Sequence, residues 1–219
     1  MSFCSFMFQS CASESDVLAP AMSLPESALL MLACKSPMLD ILRSITEEDW
    51  HPISLAAATF WAAAYCLFML YAAMNDTGFL FIDNVNLVIH EGGHLLFGWF
   101  GPTLGLWGGT LLQWLVPALL AAYFFTHRHT TGFAFSTFAL FENFLYTATY
   151  MADARAQVLP LVTVGDPEGS GHDWYNIFSS LGLLQHDTQI AAAIRMLGWI
   201  GMVATVLWLL WRGKLSRAS

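Results

Sequence analysis

The residues with the clearest chemical potential in this chain are His90, Glu91 and His94, in the run His90-Glu91-Gly92-Gly93-His94. On a helix, side chains four residues apart point the same way, so the two imidazoles can bind one metal ion while Glu91 reaches a water bound to it. That is the zinc hydrolase arrangement: neutral imidazoles hold Zn2+, the metal acidifies the water, and the carboxylate takes its proton during attack on a carbonyl. A catalytic zinc takes three protein ligands and leaves one position open, which sets the search for a third. Glu142, Tyr146, Tyr150 and Asp153 fall near one helix face at offsets of four, eight and eleven, with Asn143 beside them. The later pair His172-Asp173 could fold back onto the site, one residue binding metal and the other holding the ring or a substrate group. Asn143, Tyr146 and His172 are the candidates for steadying an oxyanion.

Helices that position such a motif are read from the composition. The chain has 219 residues, 57% of them hydrophobic and only 11% charged, more apolar than a soluble domain of this length requires. About 20 apolar residues cross a bilayer, and five stretches have that length: roughly 53–74, 79–101, 103–125, 132–152 and 189–211. The fold class expected is all-α, a polytopic transmembrane helical bundle of about five spans with one long, partly re-entrant or interfacial loop. Only the second and fourth spans carry carboxylates well inside, and ionisable groups at membrane depth mark function. At 1.5 Å per residue, His90 and His94 lie roughly 16 and 22 Å along the second span, and Glu142 and Tyr146 roughly 15 and 21 Å along the fourth, so depth favours Glu142 as the third ligand.

Outside the membrane domain, 51–213, the sequence predicts a loosely ordered arm over 1–50, turning helical near 37–48, and a short basic tail, 214–219. Met22 and Met38 are alternative initiators. The formal net charge of −8 resides mainly in termini and connections, which argues against a nucleic-acid partner. Cys4, Cys11, Cys34 and Cys66 show no metal-binding spacing. The connection 153–188 contains Pro160, Gly165, Pro167, Gly169 and Gly171 before the amphipathic run 172–178, which should fold against the bundle. Arg128 between the third and fourth spans, and Arg212, Lys214 and Arg217 after the last, point those ends to the cytoplasm, leaving the N-terminus and the 153–188 connection outside.

Around His90-Glu91-Gly92-Gly93-His94, over roughly Leu87 to Gly101, the chain resembles the site-2 protease class, the M50-like intramembrane zinc metallopeptidases. The segments Tyr150-Met-Ala-Asp153-Ala-Arg155 and Gly171-His-Asp-Trp174 resemble a divergent bacterial branch of that class. The resemblance implies His90 and His94 as ligands, Glu91 as general base, a membrane-embedded peptide substrate and a multi-pass protein of the bacterial inner membrane. The Asp-Gly motif that gives the class its third ligand has no counterpart here. On resemblance Asp153 ranks first, His172 next and Glu142 third, against the order that depth gives. Two other readings share the motif: a zinc-dependent intramembrane lipid hydrolase, and a non-enzymatic metal-binding membrane protein derived from a zinc hydrolase.

Overall fold

The computed structural model describes residues 49–159 and 171–218, and every regular element among them is helical. Five long helices, α1 (Leu55–Ala73), α2 (Asp83–Gly98), α3 (Pro102–Thr126), α4 (Thr130–Ala152) and α6 (Asp187–Ala218), form the body, and a short α5 (Asp173–Ser180) precedes α6. The expected helix near 37–48, Cys4, Cys11, Cys34 and most breakers of the long connection lie outside the described residues.

The helix starts follow from local chemistry. Ser54 accepts the Ala57 N–H at 3.1 Å to begin α1, and the His129 ring accepts the Gly132 N–H at 3.0 Å to begin α4. Between α2 and α3 the chain reverses through Gly101 at φ +115°, a backbone conformation that L side chains rarely adopt, and Pro102 then opens α3. Five helices thus occupy the five predicted stretches with shifted ends, but the start of α1 lies on the same side as Arg128 and the end of α6, not opposite them: the His51 N–H bonds the Arg128 carbonyl at 2.9 Å. Likewise α2 begins beside Glu142, partway along α4, so it does not add a full crossing. Residues 79–82 form a turn before α2, and α6 runs on through the expected basic tail. No proline or glycine interrupts Lys214 to Ala218, and the Ser216 hydroxyl accepts the Ile53 N–H at 3.3 Å while donating to the Arg212 carbonyl at 3.2 Å.

Three of these helical stretches are long and apolar enough to cross a membrane: Leu55–Ala73, Pro102–Thr126 and Leu184–Ser216. The polar residues of interest lie on the other two. With 16 residues, α2 is about 24 Å long, shorter than a bilayer core, and Glu142, Asn143 and several threonines lower the hydropathy of α4. Both helices are built into the bundle: α4 packs most extensively on α6 and then α3, α2 packs on α3, and α1 packs on α6.

The polarity of α2 is inverted relative to a soluble helix. Asp83, Asn86, His90 and Gly93, at offsets of three, seven and ten, face inward, while Val85, Val88, Leu95 and Leu96 face out. Phe60, Leu67, Trp99, Phe100, Leu119 and Leu207 extend this apolar exterior over the other helices, a surface that suits lipid and not water. The amphipathic run after the long connection is α5, and it buries Trp174, Ile177 and Phe178 against Ala148, Met151 and Ala191. Arg155 and Asp187 close the base of the connection, with Nε 2.9 Å from both carboxylate oxygens.

Candidate metal centre

The glycines of α2 and α3 set the site's dimensions. A Cβ on Gly93 would overlap the Gly108 carbonyl, so the two backbones touch there without side chains between them. A Cβ on Gly109 would stand 2.5 Å from His90 Nε2 and 2.6 Å from His94 Nε2, so α3 leaves open the space that both imidazoles face. Gly92 is not needed for this approach, because a Cβ there would meet only Leu112, at 3.9 Å.

Each imidazole is oriented by its other nitrogen. Asn143 Nδ2 donates to the Ala139 carbonyl at 3.0 Å, so its Oδ1 is the atom that accepts from Gln113 Nε2 at 3.1 Å. Gln113 Oε1 then accepts from His90 Nδ1 at 2.7 Å. The sequence is anchored on a backbone carbonyl that can only accept, and it leaves His90 Nε2 as a lone pair. His94 Nδ1 donates to the Gly105 carbonyl at 2.8 Å, with the same consequence for its Nε2.

The third atom comes from α5. Asp173 Oδ2 lies 3.0 Å from His90 Nε2 and 3.1 Å from His94 Nε2, and the two Nε2 atoms are 3.0 Å apart. Three acceptors therefore converge with no hydrogen left among them. Only a shared proton or a cation relieves that repulsion, and two imidazoles with one carboxylate form a recurrent metal-ligand set. The group His90, His94 and Asp173 could hold a metal ion. Burial opposes ionisation of Asp173, but when a shared proton takes the place of a cation the imidazole donors outweigh burial and pull its carboxyl down to about 2. The site is open on one side: the His94 side chain is 26% exposed, against 5% for His90.

Asp153, His172 and Glu142, the third ligands expected from sequence, are engaged elsewhere. Asp153 caps α4 and accepts the N–H groups of Val158 and Leu159 at 3.0 and 3.1 Å. His172 caps α5 by accepting the Tyr175 N–H at 3.3 Å, lies against the Tyr150 ring at 4.2 Å between centroids, and places Nε2 3.5 Å from Asp153 Oδ2. Burial lowers the His172 pKa below the usual imidazole value, against the opposing pull of Asp153 and Asp173. Glu142 accepts from Asn86 at 3.0 Å. Asn86, one helical turn before His90, bonds to Asp83 and to Glu142, and Gln113 takes the His90 Nδ1.

The polar face of α4 nonetheless serves the site. Tyr150 accepts the Asp173 N–H at 3.1 Å, and its hydroxyl lies 3.5 Å from Asp173 Oδ2. Asn143, expected to steady an oxyanion, has its amide committed to Ala139 and Gln113 and acts on His90 through the latter. Tyr146 is buried and lies within electrostatic reach of Glu91, Asp83 and Asp173. Glu91 is half-buried, in the field of His94, and makes no hydrogen bond among the described residues. Sequence reasoning gave Asp173 as one of the pair His172-Asp173 but ranked His172 as the ligand, read Tyr150 only as part of the polar face of α4, and missed the Gly105 carbonyl. One signal for Asp173 was available: it lies four residues before Ile177, on the side of α5 that is buried. No protein-family model, curated protein or solved structure matches the chain.

Proposed function

We propose that the chain is an intramembrane zinc metalloprotease, with Zn2+ held by His90, His94 and Asp173. The observation that carries this reading is the meeting of three acceptors whose protons have been drawn off to Gln113 and Gly105. A zinc ion there supplies a Lewis acid that polarises a carbonyl and acidifies a water molecule. Glu91, with no competing hydrogen bond among the described residues, takes the proton of the attacking water and returns it to the leaving amine. Tyr146 is the α4 group placed to donate to the oxyanion, and the accessible edge of His94 is where a membrane-embedded peptide enters. The inward polar faces of α2 and α4 and the apolar exterior support a multi-pass protein, here assigned to a bacterial inner membrane. With Arg128 and Lys214 on the cytoplasmic side, the metal group occupies the outer half of the bilayer.

The test is metal content of the detergent-purified protein with a cleavage assay on membrane peptides. About one zinc per chain is expected in the parent, lost in His94→Ala and Asp173→Ala and kept in Asp153→Ala. Glu91→Gln should keep the zinc and lose cleavage, and Tyr146→Phe should keep zinc while lowering the rate about 10- to 1000-fold. Folded parent protein without zinc overturns the reading. Zinc binding with hydrolysis indifferent to Glu91 leaves a metal-binding membrane protein, and cleavage of lipid amides or esters in place of peptides moves the substrate class.

A further inference from the structure

A second polar cluster lies between α2 and α4, outside the metal group. Asp83, Asn86 and Glu142 are 5%, 4% and 3% exposed. One amide serves both acids: Asn86 Nδ2 donates to Asp83 Oδ1 and to Glu142 Oε2, each at 3.0 Å. Asp83 also accepts the Leu80 N–H at 2.6 Å, whereas Glu142 Oε1 is buried with no hydrogen-bond partner. No cationic side chain among the described residues forms an ion pair with either acid. Two carboxylates this close, in this little water, cannot both remain ionised without a positive partner.

We propose that Asp83 and Glu142 bind one proton between them, carried by Glu142, and so form a proton-binding site separate from the metal centre. The asymmetry follows from what each carboxyl meets. Asp83 has two N–H donors and lies in the first turn of α2, where the helix dipole favours an anion. Glu142 has one donor and an orphan oxygen, and a proton turns its carboxyl from a second anion into a donor towards Asp83. The charged and titratable groups around the pair reinforce this. Tyr146 of α4, an uncharged phenol, lies within electrostatic reach of Asp83, α3 brings no charged side chain, and Arg195, the cation of α6 that meets α4, is bonded to Thr149, about two turns beyond Glu142. None of these groups pairs with either acid among the described residues.

Infrared spectroscopy of the full chain in lipid nanodiscs reads this proton directly. At neutral pH the parent should show the carbonyl stretch of one neutral carboxylic acid, absent in Glu142→Gln and lost in the parent on alkaline titration. In Asp83→Asn, where no second anion resists ionisation, the Glu142 band should persist at acid pH and disappear at a pH roughly 1–3 units lower than in the parent. A hydrogen-bonding role alone for Glu142 produces no such band. The proposal is overturned if the parent lacks an acid carbonyl at neutral pH, the outcome expected were a metal cation to neutralise the pair. It is equally overturned if the band survives Glu142→Gln, or vanishes at every pH in Asp83→Asn. Should Glu142→Gln not fold, the parent titration and Asp83→Asn decide the matter. Zinc content enters none of these readings, so the proton site and the protease reading stand or fall separately.

Discussion

At the scale of single residues, the centre depends less on its ligands than on what fixes their protons. The sequence Ala139, Asn143, Gln113, His90 turns a backbone carbonyl on α4 into a statement about which nitrogen of a ring on α2 is free. Gln113→Leu removes the acceptor for His90 Nδ1, and zinc affinity should fall about 10- to 100-fold in a competitive chelator titration. Gln113→Glu retains an acceptor there and should preserve most of the binding. Gly109→Ala acts differently, placing a methyl group 2.5 and 2.6 Å from the two Nε2 atoms. It should abolish stoichiometric zinc while leaving helicity unchanged by circular dichroism. A Gly109→Ala protein that still binds one zinc would show that the metal, if bound, lies elsewhere.

At the scale of elements, the piece that completes the centre is the eight-residue α5, too short to be stable alone. It is held by its apolar face, by the His172 ring against Tyr150, and by the Tyr150 hydroxyl on Asp173. Tyr150→Phe removes the last of these and leaves every ligand in place. Zinc affinity should drop about tenfold, with faster amide exchange confined to residues 171–181, whereas Tyr146→Phe should alter neither. Uniform exchange across the chain in Tyr150→Phe would mean that α5 is held by its apolar face alone. The positions of α2 and α4 and the meeting of the His90 and His94 rings were legible in the sequence, because helical spacing is a local property. The choice of Asp173 over Asp153, His172 and Glu142 was not. It depends on how α5 docks across a long connection, which is a tertiary fact, and on Asp153 being held by the Val158 and Leu159 N–H groups while His172 caps α5. Depth along a helix ranked Glu142 first because it counts distance and ignores partners, and Asn86 already held that carboxylate.

At the scale of the whole molecule, the arrangement is a polar interior inside an apolar shell, and the sequence showed it only in part. Hydropathy registers α1, α3 and α6, because they carry few polar side chains for their length. It passes over α2 and α4, whose averages are lowered by the polar side chains they turn inward. The inverted polarity of α2 separates lipid from water as the surrounding medium, and a single exterior position tests it. Val88 is 72% exposed on the face of α2 opposite His90 and Asn86. In water, a lysine there is a surface substitution worth less than about 0.5 kcal/mol. In lipid, near the middle of a span, it costs about 2.5–3.5 kcal/mol on insertion scales, some of it recovered by snorkelling. Val88→Lys should therefore sharply reduce the amount of protein resisting alkaline extraction from membranes, while Asp76→Lys, in the exposed turn before α2, leaves it unchanged. Equal yields from the two variants would place α2 outside the bilayer, whereas loss confined to Val88→Lys puts His90 and His94 on a helix whose other face meets lipid.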